Sequence, residues 1–398
     1  MLNIERPEDR IPPDRFALFY LGFRPFFGLG ALAAVVLILL WLPYYHGHLS
    51  LNGYFTPVAW HAHEMLYGYA LAIIAGFLLT AVRNWTGEKV PSGWPLVGLV
   101  AVWLAGRLLC TLDLGQPGWL TALVDIAFAP LVILALARPL LAARAPRNLA
   151  FLVILALFAL GNSLMHMAAL GENPLPGLGS QFGLNLVILV IVVMGGRVIP
   201  FFTRNPLPGM QPRQWQPVEI ASVAGVLVLA LWELLQRDTP AQAALALALG
   251  GVHFLRLAGW QDRRLWGHPI IWVLHLGYGA IALGFVLKGL AGLGLVGQSG
   301  AVHAFTVGGI GLMTLGMMAR VSLGHTGRPL ELPRLTVIGI YLLTLGATLR
   351  VIAGLGFWSG LQAPLLGASA LLWILAFSAF CIDYWPKLIR PRVDGRPG

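Results

Sequence analysis

Twelve long apolar runs, separated by short breaker-rich connections, constrain this sequence more than any other feature. Ala31–Trp41, Val58–Val82 and Leu149–Leu160 are examples. A helix needs about 20 mostly apolar residues to cross the hydrocarbon of a bilayer. Such spans are expected near 18–42, 58–82, 94–112, 119–138, 148–170, 181–202, 218–236, 241–258, 268–290, 300–322, 335–355 and 363–384. The connections carry turn and breaker residues, as in "ENPLPGLGS" (172–180) and "RNPLPGMQPRQWQP" (204–217). Only 11% of the residues are charged, against about 25% in a soluble protein. The expected fold is therefore an all-α polytopic membrane protein. It divides into an N-terminal segment (1–17), one membrane domain of twelve helices (18–384) and a C-terminal tail (385–398). No cleavable signal peptide is expected, because Glu5, Arg6, Glu8, Asp9, Arg10, Asp14 and Arg15 precede the first apolar run. Cys110 and Cys381 lie near the ends of different spans and give no disulfide framework.

The formal charge of +10 is a topology signal. Twelve spans put both termini on one side. That side takes all of the 26 lysines and arginines except Arg107, Arg237, Lys288 and Arg350. By the positive-inside rule both termini are expected to be cytoplasmic. Nucleic acid is excluded as a partner, and the basic inner face is suited to anionic lipid of the bilayer.

Ionisable residues inside spans are costly and tend to face the bundle interior or a cavity. "WHAHEML" (60–66) places His61, His63 and Glu64 in the first turns of span 2. Under the expected topology, His61, His63, His166 and His303 all lie in the outer part of the membrane, on three different spans. His253 and His275 lie toward the inside. Imidazoles projecting from facing helices suit haem iron, copper or zinc. The alternative for each is a helix–helix hydrogen bond. His61 and His63 point about 200° apart on a regular helix, so both cannot bind one metal. One ligates, and the other hydrogen-bonds or serves a second site. "HEMLYGYALAIIAGFLLTAVRNWTG" (63–87) aligns without gaps on "HAFTVGGIGLMTLGMMARVSLGHTG" (303–327), matching His63 with His303. This hint of repetition favours His63 and allows three units of four helices.

Glu64 and Asp125 are the candidate proton carriers. Arg24, in "GFRPFFGLG" (22–30), and Arg107 either reach the headgroups or pair with a haem propionate or substrate anion. The absence of CxxCH, paired CxxC and HExxH removes support for covalent haem, iron–sulfur clusters and zincin chemistry.

"FRPFF", "WHAHEMLYGYALAIIAGFLLTAVRNWTG", "GGRVIPFFTRN" and "HAFTVGGIGLMTLGMMARVSLGHTGRPL" together resemble the NnrS family, in order and over most of the chain. The resemblance implies a bacterial inner-membrane protein of twelve spans that contains haem, taken as haem b, and copper, and that is linked to denitrification and nitric oxide resistance. A looser likeness of layout is to haem-copper oxidases, whose low-spin haem is held by histidines on spans 2 and 10; their paired histidines after span 6 are missing here. The expected function is nitric oxide binding, sensing or detoxification, with an electron donor required for any turnover. His63 and His303 are then haem candidates, and His166 a copper ligand. Two alternatives stand beside it: a secondary transporter with a histidine-lined midplane site, and a factor for assembly or repair of metalloenzymes.

Overall fold

The structure, a computed structural model, describes residues 12, 14–144, 146–172, 177–235 and 239–396. The charged residues Glu5 to Arg10, residues 173–176 of the connection after the fifth span, and Arg237 lie outside the described residues. The chain is 78% helix with no strand among the described residues. Its twelve long apolar helices are α1 (Phe23–Tyr45), α2 (Pro57–Thr86), α3 (Trp94–Thr111), α4 (Gly118–Ala142), α5 (Asn148–Ala169), α6 (Leu178–Arg204), α7 (Gln216–Leu235), α8 (Pro240–Ala258), α9 (Pro269–Gly292), α10 (Gln298–His325), α11 (Arg334–Gly354) and α12 (Gln362–Leu388).

Local chemistry sets the ends. α1 starts at Phe23, later than its apolar run, because residues 18–22 form turns, and Pro25 is accommodated in the first helical turn. The free Phe23 N–H donates instead to Thr80 Oγ1 on α2, at 3.0 Å. α2 opens with Thr56 as N-cap and Pro57 at the first helical position. α8 opens with a capping box, in which Thr239 and Gln242 satisfy each other's backbone N–H. α4 is interrupted at Ala127, between helical segments Gly118–Ile126 and Phe128–Ala142. Pro130 accounts for the break, since it has no N–H to give to the carbonyl of Ile126.

Small residues bring helices close. A Cβ on Gly76 of α2 would fall 2.7 Å from Cβ of Phe26 on α1, and one on Gly354 of α11 would fall 2.5 Å from the backbone N of Gly300 on α10. Side chains there would push the backbones apart, so these glycines fix the packing.

Two helices depart from α geometry at matching places. In α2 the α-helical segment ends at His63, and Glu64–Ala70 is a π-helix. In α10 the α-helical segment ends at His303, and Ala304–Gly311 is a π-helix. These are the residues that the sequence alignment pairs. π segments are rare and recur at functional sites, because their extra residue per turn re-aims the side chains around it.

The chain gathers into two compact units. The first comprises Met1–Ser180, Met318–Pro333 and Ser378–Gly398, and so holds α1 to α5 with the last turns of α10 and α12. The second comprises Gln181–Met317 and Arg334–Phe377, and holds most of α6 and α10, all of α7 to α9 and α11, and the first part of α12.

Candidate metal centre

In the first unit, α2, α3, α4 and α5 bring a dense polar cluster into an apolar interior. His63 and Glu64 come from α2, Arg107 and Cys110 from α3, Asp125 from α4, and Asn162 and His166 from α5. All are buried, and His63 and Glu64 are 0% exposed. The placement follows from sequence. Asp125 sits beside the break in α4. Arg107 and Cys110 are three apart, hence on one face of α3, and Asn162 and His166 are four apart on one face of α5.

Two histidines converge on one carboxylate. His63 Nε2 and His166 Nε2 each lie 3.0 Å from Asp125 Oδ2. The other ring nitrogens are held from behind. His63 Nδ1 is 3.0 Å from Glu64 Oε1, and His166 Nδ1 is 2.9 Å from the hydroxyl of Tyr54. Burial pushes that phenol, in the connection before α2, above its usual pKa, so the hydroxyl stays protonated. Asn162 donates from Nδ2 to Asp125 Oδ2 at 2.7 Å, and its Oδ1 lies 2.9 Å from His63 Nε2. Arg107 bridges the two acids: its Nε is 2.9 Å from Glu64 Oε2, and its Nη2 pairs with Asp125 Oδ1. The donor atoms of His63, Cys110, Asp125 and His166 all lie within 4.8 Å of one another.

The two imidazoles thus present Nε2 inward with Nδ1 anchored on a carboxylate and a hydroxyl. That arrangement fixes tautomer and ring direction in metal-binding histidines. Donors on one tetrahedral metal stand about 3.5 Å apart, between the 3.0 Å of the two Nε2–Oδ2 pairs and the 4.8 Å limit of the set, so binding an ion would need only a small rearrangement. Charge points the same way. Two carboxylates face one guanidinium, which leaves a negative charge in a buried place where an unpaired charge is costly. A proton on one of these groups or a bound cation balances it.

The other expected site residues take different roles or different places. His61 stacks on Trp41 of α1, with ring centroids 4.2 Å apart, and is not among the four clustered donors. Glu64 and Asp125, expected as proton carriers, are both ion-paired to Arg107, and Arg107, expected to meet an anion, is engaged by them. Arg24 is buried at the start of α1, where its Nη1 holds the carbonyls of Leu388 (2.9 Å) and Arg390 (2.6 Å).

In the second unit, His253 of α8 is buried with Nδ1 2.8 Å from the hydroxyl of Tyr278, and its ring stacks on Phe285. Arg256 shares that hydroxyl and pairs with Glu219 of α7. His275 of α9 faces the carbonyls of Ile271 (3.2 Å) and Trp260 (3.4 Å). His303 is partly exposed, with Nδ1 2.8 Å from the carbonyl of Ser299, one turn back. Sequence reasoning passed over Cys110 and Tyr54. Cys110 was findable: it lies near the same end of its span as Arg107, at the expected outer depth of His63 and His166.

A family model described as NnrS protein matches residues 17–392 of the 398-residue chain. No curated protein matches it. The matched region takes in all twelve spans and all four clustered donors, and the chain belongs to the NnrS family.

Proposed function

We propose that this multi-pass membrane protein binds copper and haem and acts in the response to nitric oxide, with copper held by His63, His166, Asp125 and Cys110. The observation that carries the reading is the convergence of both Nε2 atoms on Asp125, with Nδ1 held by Glu64 and Tyr54. Imidazole and thiolate donors suit copper. Copper held there would supply redox chemistry and, when reduced, an affinity for a small neutral ligand such as nitric oxide. Glu64 and Tyr54 keep the rings aligned, Arg107 pairs with both acids, and Asn162 fixes Asp125. Phe55, stacked on His63 at 4.7 Å, and the buried helix faces exclude water. The gas reaches such a site through lipid and needs no polar channel. The proposed setting is a bacterial inner membrane with cytoplasmic termini, as the distribution of basic residues supports.

Haem, the second cofactor that the resemblance implies, fits His63 poorly. Asp125 and Asn162 lie 3.0 and 2.9 Å from its Nε2 and Phe55 covers one ring face, so a macrocycle would have to displace both side chains, whereas an ion takes Asp125 as a ligand. His303 fits better. Its Nδ1 lies against a backbone carbonyl, as in metal-binding histidines whose other nitrogen ligates, and its ring is partly exposed.

The test is the metal content and visible spectrum of protein purified from its native membrane. Copper is expected in the wild type and lost in His166→Ala and Cys110→Ser. Anaerobic nitric oxide should change the spectrum of the dithionite-reduced protein. A protein free of copper and haem after full cofactor supply refutes the reading. The chain of hydrogen bonds from Tyr54 through His166, Asp125 and His63 to Glu64 would then favour the transporter.

A further inference from the structure

A second cluster in the first unit, on the opposite side of the chemistry above, gathers cations rather than donors. Arg24 is 0% exposed. Its Nη1 caps the end of α12 through the carbonyls of Leu388 and Arg390, but its Nε and Nη2 have no hydrogen-bond partner among the described residues. Those two nitrogens form one edge of the guanidinium, the edge that grips two oxygens of a phosphate or carboxylate side by side. Nη1 of Arg328, just after α10, is buried and equally without a partner. The charges of Arg328 and Arg392 bear on Arg24, and those of Arg392, Arg24 and Arg83 bear on His325. The acid beside them, Asp394, is taken by Arg392 at 2.6 Å. Among the described residues the cluster therefore carries more positive than negative charge. The Phe23 ring lies 5.2 Å from the Arg24 guanidinium, but a buried guanidinium edge without a hydrogen-bond acceptor remains costly.

We infer that Arg24 and Arg328 form a built site for a phosphate oxyanion, and that its occupant is the headgroup phosphate of an anionic phospholipid. The location supports the lipid. Arg24 opens α1, Arg83 lies in the last turn of α2, His325 ends α10 and Arg392 follows α12. These are the ends of membrane spans, the level at which headgroups lie, and basic pockets there bind anionic headgroups. The backbone groups of the first turn of α1 are already used: Phe23 N–H donates to Thr80, and Arg24 N–H to the carbonyl of Leu21. The side chains alone must hold the anion. The site is independent of the proposed metal centre and stands or falls without it.

The experiment uses the full chain in nanodiscs of phosphatidylcholine, with and without phosphatidylglycerol, reading thermal unfolding and lipid retained in native mass spectrometry. Phosphatidylglycerol should raise the unfolding temperature of the wild type and be retained preferentially. Arg328→Gln and Arg24→Lys should hold it about tenfold less well. Arg24→Lys keeps the charge and loses the two-nitrogen edge, so its failure separates a built site from general attraction to a basic face. Arg328→Gln leaves the α12 cap intact and guards against a folding defect. Equal retention of phosphatidylglycerol by the wild type and both variants, or no effect of it on the wild type, overturns the site. A rise reproduced by inorganic phosphate in phosphatidylcholine discs overturns the lipid as its source.

Discussion

Asp125 is the hub of the candidate metal centre, since Arg107, His63, Asn162 and His166 all meet its two oxygens. Its position depends on a residue with no side chain. A Cβ on Gly106 would lie 2.4 Å from Asp125 Oδ1 and 3.3 Å from its Cα, so the carboxylate and its backbone would both have to yield. Gly106→Ala is expected to cost about 1–3 kcal/mol of stability and to lose copper without removing any ligand. Thermal unfolding and metal analysis of the variant check this; unchanged stability with full copper would refute the placement of Asp125. At this scale the sequence was partly legible. His63, His166, Asp125 and Arg107 stand out as ionisable residues in apolar runs, where each needs a reason. Their partners did not. Nothing in the spacing of Glu64, Arg107 and Asp125 says that one arginine bridges both acids, because that depends on how three helices pack. Cys110 is chemically quiet in an apolar run and becomes a donor only through its neighbours.

The helices themselves were readable because a membrane-spanning helix must be apolar over its length, whatever it packs against. The start of α1 was not, since residues 18–22 are as apolar as the helix but are held in turns. Nor were the π segments, which leave no compositional mark and depend on packing. The segment Glu64–Ala70 lets His63 and Glu64 face the cluster while the rest of α2 keeps its own contacts with α1. Inserting one alanine between Ala70 and Leu71 should keep the span helical and turn His63 by about 100° relative to Leu71–Thr86. The variant should still insert as a span but lose copper. Retention of wild-type copper would show that the π segment does not aim His63. The same geometry after His303 is a second likeness between α2 and α10, independent of the five identities in their sequences. It supports repetition of this helix within the chain.

For the whole molecule, the even number of spans and the bias of basic residues make one topological prediction. A reporter fused after Gly398 should be active only in the cytoplasm, and activity confined to the periplasm would refute it. The division into two compact units makes another. His63, Cys110, Asp125 and His166 all belong to the first unit, whereas His303 belongs to the second. Sites without shared partners respond to substitution nearly independently. If copper is held in the first unit and haem by His303 in the second, the two cofactors should be separable by mutation. His166→Ala should lose copper and keep the haem spectrum; His303→Ala should lose haem and keep copper. The double variant should lose both and still be a membrane protein, because neither histidine is needed for the apolar burial that drives insertion. Nitric oxide then reports which centre it meets. Binding abolished only in His166→Ala places the gas at copper, and binding abolished only in His303→Ala places it at haem. Should His303→Ala also lose copper, or His166→Ala also lose haem, the cofactors share one site, and the assignment of one to each unit is wrong.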